Sequence, residues 1–458
     1  MTEKMTAGSP VKLIVYFTIP LLVGNIFQQL YSMADTLIVG RTIGVNALAA
    51  VGSTGSISFL ILGFAMGATG GLAIITAQRF GAKDARGVRR SVAASLWLSL
   101  IITVVLTAIA VPLTRQILEL MRTPAEIIDD AYSYIVIIFA GIFASMMFNL
   151  LSNIIRALGD SKTPLVFLIV ACILNIVLDY LFILAFHMGV AGAAWATVAA
   201  QLTAGLLCLF YIKLKLPILH LTREDWRVTR WELEQHAKVA LPMGFQMSII
   251  AIGAVILQFV LNGLGAVAVA AFTAAQKIDQ IASQPMNSFG MTMSTYTAQN
   301  YGAGKIERIG KGVFRCCLLS VGFSIIMGLI NIFAGYQLAG LFVGSGAPEV
   351  LEMAQVYLKI NGAMYWVLAL LFIFRYTLQG VGRSVMPTVA GIMELLMRTL
   401  AAVFLATRIG FTGASWAGPL AWIGACIPLG IDYVLTIRRL RRNHIVTESE
   451  MEGDERCQ

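Results

Sequence analysis

The chain has 458 residues; 58% are apolar, only 12% are charged, and the formal net charge is +9. Soluble domains carry roughly 25% charged residues, so the roughly three soluble domains that this length would allow could not be clothed. Disordered chains are poor in apolar residues and are excluded as well, which leaves a polytopic α-helical membrane protein.

A membrane-crossing helix needs roughly 20 mostly apolar residues, and twelve such stretches are predicted in chain order. The first, 13–38, is longer than the apolar part of a signal peptide, so no cleavable leader is expected. It carries Pro20, whose missing N–H marks a bend or hinge, and Asp35 near its outer end. The second, 46–76, holds Gly63, Gly67 and Gly71 at a spacing suited to close helix packing, and no Walker lysine follows them. Spans 91–113 and 131–155 come next, then 164–186 with Asn175 and Asp179, and 192–212 with Thr197. A polar segment, 213–238, precedes span 239–262, which carries Gln246 and Ser248. Span 267–297 holds Lys277 and Asp279. Spans 313–337 and 352–377 follow, the latter with Arg375 close enough to its end to snorkel. Span 387–407 carries Glu394 and Arg398 at the i, i+4 spacing of a mutually neutralising pair, and 413–436 completes the series. The second and eighth spans exceed the bilayer thickness, so tilt or extension is expected.

Positive charge orients the chain. With the N-terminus inside, 25 of the 33 Lys and Arg side chains, from Lys4 to Arg456, fall on cytoplasmic segments. Four (Arg41, Arg115, Arg122 and Arg408) fall outside, and four lie within spans. Both termini are therefore expected in the cytoplasm of a bacterial-type plasma membrane. The +9 is a topology signal, and no nucleic-acid partner is expected. Cys172, Cys208, Cys316, Cys317, Cys426 and Cys457 lack metal-site spacing and are read as packing residues without a disulfide. His187, His220, His236 and His444 are assigned to loops or the tail and form no cluster.

The chain repeats itself. Residues 76–83 (TAQRFGAK) match 297–304 (TAQNYGAG), and 189–196 (GVAGAAWA) match 410–417 (GFTGASWA), both at an offset of 221. Ile43-Gly44 and Ala47 match Leu264-Gly265 and Ala268 in the same register, and Gly159 through Pro164 resembles Gly382 through Pro387. Six spans per half return the chain to its starting side, so the halves are parallel repeats. The expected organisation is an N-terminal lobe over 1–212, a cytoplasmic linker over 213–238, a C-terminal lobe over 239–437 and a charged tail over 438–458.

Ionisable groups inside a bilayer are costly and mark function by default. Asp35, Asn175, Asp179 and Thr197 fall at similar depth in the outer half of the N-terminal lobe. Asn175 and Asp179 share a helix face at i, i+4. Two carboxylates with amide and hydroxyl oxygens suit a proton or a hard cation such as Na⁺. Glu394, Arg398, Lys277 and Asp279 are secondary charged candidates in the C-terminal lobe.

As a set these features resemble the multidrug and toxic compound extrusion (MATE) family of secondary transporters over residues 10–440. The features are Pro20, Asp35-Thr36 with Val39-Gly40, Gln78 with Gly81-Ala82, and the run from Arg156 to Asp160. Asn175 with Asp179, the run 192–195, and 299–303 complete them. The resemblance implies a V-shaped pair of six-helix bundles that exports organic cations in exchange for H⁺ or Na⁺, with its cation site at Asp35, Asn175, Asp179 and Thr197. The NorM-like branch has acids in its seventh and tenth helices. Here 242–249 and 366–372 carry none, which points to coupling through the N-terminal lobe, as in DinF-like members. Gln28, Gln29, Tyr31, Met33, Gln246 and Ser248 are candidates to line a substrate cavity, or to pack between helices.

The function expected is efflux of amphipathic, cationic compounds by a monomeric antiporter in contact with membrane lipids, needing no cofactor beyond its coupling ion. The alternative is a lipid-linked precursor flippase of the same superfamily, which would call for more spans and a strongly cationic cavity. No His-Glu-x-x-His motif or nucleophile triad suggests an enzyme.

Overall fold

A computed structural model describes residues 5–121, 123–343 and 347–455. Lys4, Arg122, Arg456 and Cys457 lie outside the described residues, as does the side chain of His444. The first six passes are α1 (Pro10–Thr42), α2 (Val45–Gly81), α3 (Ala85–Leu120), α4 (Ile128–Ala140) with α5 (Ile142–Ala157), α6 (Lys162–Tyr180) and α7 (Gly189–Lys215). The second six are α8 (Arg230–Gly263), α9 (Ala266–Gly302), α10 (Ile306–Val343), α11 (Pro348–Gly380), α12 (Val385–Ser415) and α13 (Ala417–Glu455). Among the described residues, ten helices are long and apolar enough to cross a membrane. Helices α4 and α5 form an eleventh pass bent by 46°. The twelfth is α9, whose Gln, Ser, Thr, Lys and Asp side chains dilute its hydropathy.

Helices of 31 to 39 residues at about 1.5 Å rise per residue outrun a hydrocarbon layer of about 30 Å. Their polar ends therefore reach water. The break between α4 and α5 falls at Gly141, where an added Cβ would lie 2.4 Å from Val198 of α7. The absent side chain is what lets the two elements approach. The glycine series on α2 works the same way. A Cβ on Gly67 would meet the Met243 carbonyl oxygen at 2.3 Å, and one on Gly71 the Ala240 Cα at 2.7 Å.

The repeat is written into the backbone. Left-handed residues stop helices at matching places: Gly44 (φ 126°) and Gly265 (φ 98°), Lys83 (φ 60°) and Gly304 (φ 70°), Gly159 (φ 90°) and Gly382 (φ 91°), Gly189 (φ 59°) and Gly410 (φ 58°). Positive φ costs least at glycine, and seven of these eight positions are glycine. Helix α6 ends in a π-helical turn, Leu181–Ala185. The segment between α7 and α8 contains a single 3₁₀ turn, Pro217–Leu219. Helix α8 starts at Arg230, so His236, expected in a loop, lies inside a helix and is buried at 3% exposure.

Contacts divide the chain into two compact units. The first comprises Ile19–Phe80 and Asp84–Ala251; the second comprises residues 5–18, Gly81–Lys83 and residues 252–455. The division thus runs through α1 and through α8. The core of the first unit joins Ile57, Ile135, Phe139 and Met146, with a second cluster around Leu72, Leu150, Ile154 and Ile212. The second unit packs Phe272, Leu351, Tyr357 and Phe411, and then Met286, Tyr365, Leu371 and Trp422. Fully buried alanines recur in both cores. Small residues let helices approach closely where lipid offers no hydrophobic drive.

A short strap precedes the first helix of each half. In the second unit, Arg308 donates to the carbonyls of Met5, Ala7 and Gly8, and the Met5 N–H donates to Gln299 Oε1 at 2.9 Å. In the first unit, the Asp225 carboxylate accepts from the Thr222 N–H and hydroxyl at 2.8 Å each, and from Arg89 Nε at 3.1 Å.

Candidate functional site: an acid pair in the first unit

Asp35 on α1 and Asp179 on α6 are buried, at 6% and 0% exposure, and their carboxyl groups lie side by side. Asn175, one turn before Asp179, is also fully buried. With its amide oriented to satisfy both neighbours, Nδ2 donates to Asp179 Oδ2 at 3.1 Å and the side-chain oxygen accepts from the Thr197 N–H at 3.2 Å. The four residues selected from the sequence therefore come together, with Thr197 contributing its backbone N–H. Two tyrosines stand beside the acids, Tyr31 of α1 and Tyr134 of α4. Tyr31 was expected at a substrate cavity. Tyr134 was not anticipated, because a tyrosine in an apolar helix carries no signal of its own.

Burial without a counter-charge gives this site its chemistry. Asp35 Oδ1 and Asp179 Oδ1 are buried with no hydrogen-bond partner in the protein. Buried polar atoms are nearly always satisfied, so these two oxygens are suited to a ligand. Oxygens of this kind accept a proton or a hard cation and offer nothing to a soft metal. Among the described residues, no group of three or more His, Cys, Asp and Glu is placed to hold a metal ion.

The other candidates disperse. Gln28, Gln29 and Met33 are exposed on α1. Gln246 is buried, and the Ser248 hydroxyl donates to the Leu60 carbonyl at 3.0 Å, joining α8 to α2. Pro20 lies inside an α1 that continues through it, two residues beyond Thr18, the last α1 residue of the second unit.

In the second unit the intramembrane acids have partners. Glu394 accepts from Arg375 at 2.7 Å and from Arg398 at 2.9 Å. Arg375 was expected to snorkel to the membrane edge. Instead it is 3% exposed and turned to Glu394, because a carboxylate on the neighbouring helix offers a nearer partner than water. Asp279 Oδ1 accepts from the Tyr365 hydroxyl at 2.6 Å, that hydroxyl accepts from Asn331 at 2.8 Å, and Arg398 is a nearby positive charge. Lys277 is exposed, on another face of α9, over the Phe342 ring at 5.8 Å.

The MatE family model matches twice, over residues 20–181 and 242–404, one match per half. The chain is 30% identical over 417 residues to the "Probable multidrug resistance protein YpnP" of Bacillus subtilis, covering 90% of each chain. It is 22% identical to the "Multidrug export protein MepA" of Staphylococcus haemolyticus, covering 89% of each. A solved structure of a multidrug resistance MATE family transporter, in an outward-facing conformation, superposes with a TM-score of 0.89 at 25% identity, covering 95% of this chain and 98% of that one. The twelve-helix fold, its repeated halves and the match across both of them agree: the chain belongs to the MATE family, whose members are membrane transporters and not enzymes.

Proposed function

We propose that this protein is a multidrug efflux antiporter that exports amphipathic, cationic organic compounds from the cytoplasm in exchange for a coupling cation bound at Asp35 and Asp179. The names of its relatives support efflux of diverse compounds. The observation that carries the coupling is the juxtaposition of two buried carboxyl groups without a counter-charge. One proton shared between the two acids binds them to each other. With the proton present, like-charge repulsion is relieved and α1 and α6 are held together. With both carboxylates ionised, they repel, and the site attracts positive charge in a medium of low dielectric. Proton and cationic substrate thus favour different arrangements of the same helices, and a ligand shifts a conformational equilibrium only through such differential affinity.

Asn175 holds Asp179 in place through one of its oxygens and leaves the other free. Na⁺ would use the same unpartnered oxygens, and the carboxyl contact favours the proton. Tyr31, Gln28, Gln29 and Met33 on α1 lie next to the acid pair in sequence and are the residues proposed to face substrate. A single polypeptide acts as the transport unit, with both termini on the cytoplasmic side of a bacterial-type plasma membrane, where 25 of 33 basic residues would then lie. A diphosphate flippase would need uncompensated intramembrane cations. In the second unit Arg375 and Arg398 are offset by Glu394 and Asp279.

The test is ethidium uptake into inside-out vesicles energised by a pH gradient or, separately, by a Na⁺ gradient. Uptake driven by the pH gradient and lost in Asp35→Asn is expected. Uptake unchanged by that substitution overturns the proposed mechanism.

A further inference from the structure

A cavity of about 320 Å³ opens where the end of α2 meets the first turns of α3 and α8, all within the first unit. Arg79, Arg86, Arg90, Trp231, Glu232 and His236 are among its walls. We propose that this cavity binds the phosphate of an anionic phospholipid. The cytoplasmic leaflet follows from the orientation proposed above, whereas the binding itself does not depend on that orientation.

The acids at the cavity are already engaged. Asp84 caps α3 by accepting from the Gly87 N–H at 2.8 Å. Glu232 accepts from the Thr229 N–H and hydroxyl at 2.8 Å each and from Arg90 at 2.9 Å. Arg79 and Arg86 reach their acids, Asp84 and Glu224, only at 3.6 and 3.7 Å, outside hydrogen-bonding distance. Two guanidinium forks therefore remain for a ligand, and their planar geometry matches phosphate. The floor is polar and fixed: His236 Nδ1 donates to the Glu232 carbonyl at 2.7 Å, and Nε2 shares a hydrogen with the Ser91 hydroxyl at 2.8 Å. Exposed Trp231 lines the cavity, and exposed Trp97 and Trp226, on α3 and in the segment before α8, meet edge to face at 6.3 Å. Exposed tryptophan marks headgroup depth in membrane proteins, and basic pockets between helices at that depth suit anionic headgroups.

The repeat supplies an internal control. Ile75 and Ser91 line the cavity. At the offset of 221 they become Tyr296 and Gly312. Tyr296 is fully buried, its ring presses on Gly312, and its hydroxyl donates to the Arg308 carbonyl at 3.1 Å. The second half thus fills with an aromatic ring the space that the first half leaves open.

The experiment is native mass spectrometry of the full chain in detergent, titrated with phosphatidylglycerol, with phosphatidylcholine, or with inorganic phosphate as competitor. One phosphatidylglycerol retained at about tenfold lower concentration than phosphatidylcholine is expected. The Arg79→Gln/Arg86→Gln double variant, and the Ile75→Tyr/Ser91→Gly double variant, should each weaken that retention about tenfold, the loss of a pair of charge-assisted hydrogen bonds. Ile75→Tyr/Ser91→Gly alters no charge and copies the other half, where glycine makes room for the ring, so it decides the matter if the arginine variant does not fold. Retention unchanged in Ile75→Tyr/Ser91→Gly, equal retention of phosphatidylcholine, or full displacement by millimolar inorganic phosphate would overturn the proposal. Transport is not read, so this result stands apart from that of the efflux assay.

Discussion

The two halves share a backbone plan and solve its problems with different chemistry. Where α2 crosses α8 in the first unit, Gly71 lies against the backbone of Ala240. At the matching crossing of α9 with α1, Thr292 and Thr18 share a hydrogen bond of 2.7 Å. Where α5 turns into α6, Asp160 caps the new helix and accepts from the Tyr211 hydroxyl of α7 at 3.1 Å. Where α11 turns into α12, Arg383 bonds Thr436 and pairs with Asp432 of α13 at 3.3 Å. Asp35 corresponds to Ile256, and Asp279 to Ser58, so neither acid on these helices is copied. The repeat fixes where contacts occur and leaves free which side chains make them. One unit thus carries two buried acids without a counter-charge, while in the other Glu394 is paired with Arg375 and Arg398.

Five single substitutions would break or sharpen that contrast. The largest effect is expected at the acid pair. Asp179→Asn should reduce coupled efflux to background while the protein still inserts and folds, measured as dye transport per mole of purified protein. Next is Glu394→Leu, which leaves Arg375 buried without a counter-charge. Breaking a buried pair in this way costs about 3–5 kcal/mol, read as a lowered thermal midpoint in detergent. Replacing Glu394, Arg375 and Arg398 together with apolar residues should recover most of that loss without changing the coupling ion. Third, Gly71→Leu should destabilise by roughly 1–3 kcal/mol through overpacking. Thr292→Val, its counterpart, should cost about 1 kcal/mol, so equal midpoints for the two variants would refute the contrast between the crossings.

The smallest effect concerns Asp225 in the strap before α8. Burial works against its charge, but hydrogen bonds from Thr222 and Arg89 outweigh burial and bring its carboxyl below the usual range. A group with a depressed native pKa contributes stability that is full above its unfolded value, about 3.9, and lost as pH falls through the native value. Asp225→Asn should therefore lower the unfolding midpoint modestly at pH 7, and the difference from the parent should vanish in acid.

Much of this was legible in the sequence, for reasons that particular residues expose. Apolar runs and the register of 221 located the helices, and the repeat was the better guide at α9, whose polar face hides it from hydropathy. Asp35, Asn175 and Asp179 stood out because burying such groups in lipid is costly. Tyr134 did not, since only the fold brings α4 beside α1 and α6. Arg375 was misjudged because distance to a helix end says nothing about Glu394 on the neighbouring helix. His236 was assigned to a loop because the start of α8 is polar.

The most direct measurement is substrate-induced proton release from detergent-purified protein, comparing the parent, Asp35→Asn and Asp279→Asn. If coupling resides in the first unit, the parent releases about one proton per substrate bound, Asp279→Asn releases as much, and Asp35→Asn releases none. Release that survives Asp35→Asn and disappears in Asp279→Asn would place the coupling site in the second unit and contradict the account.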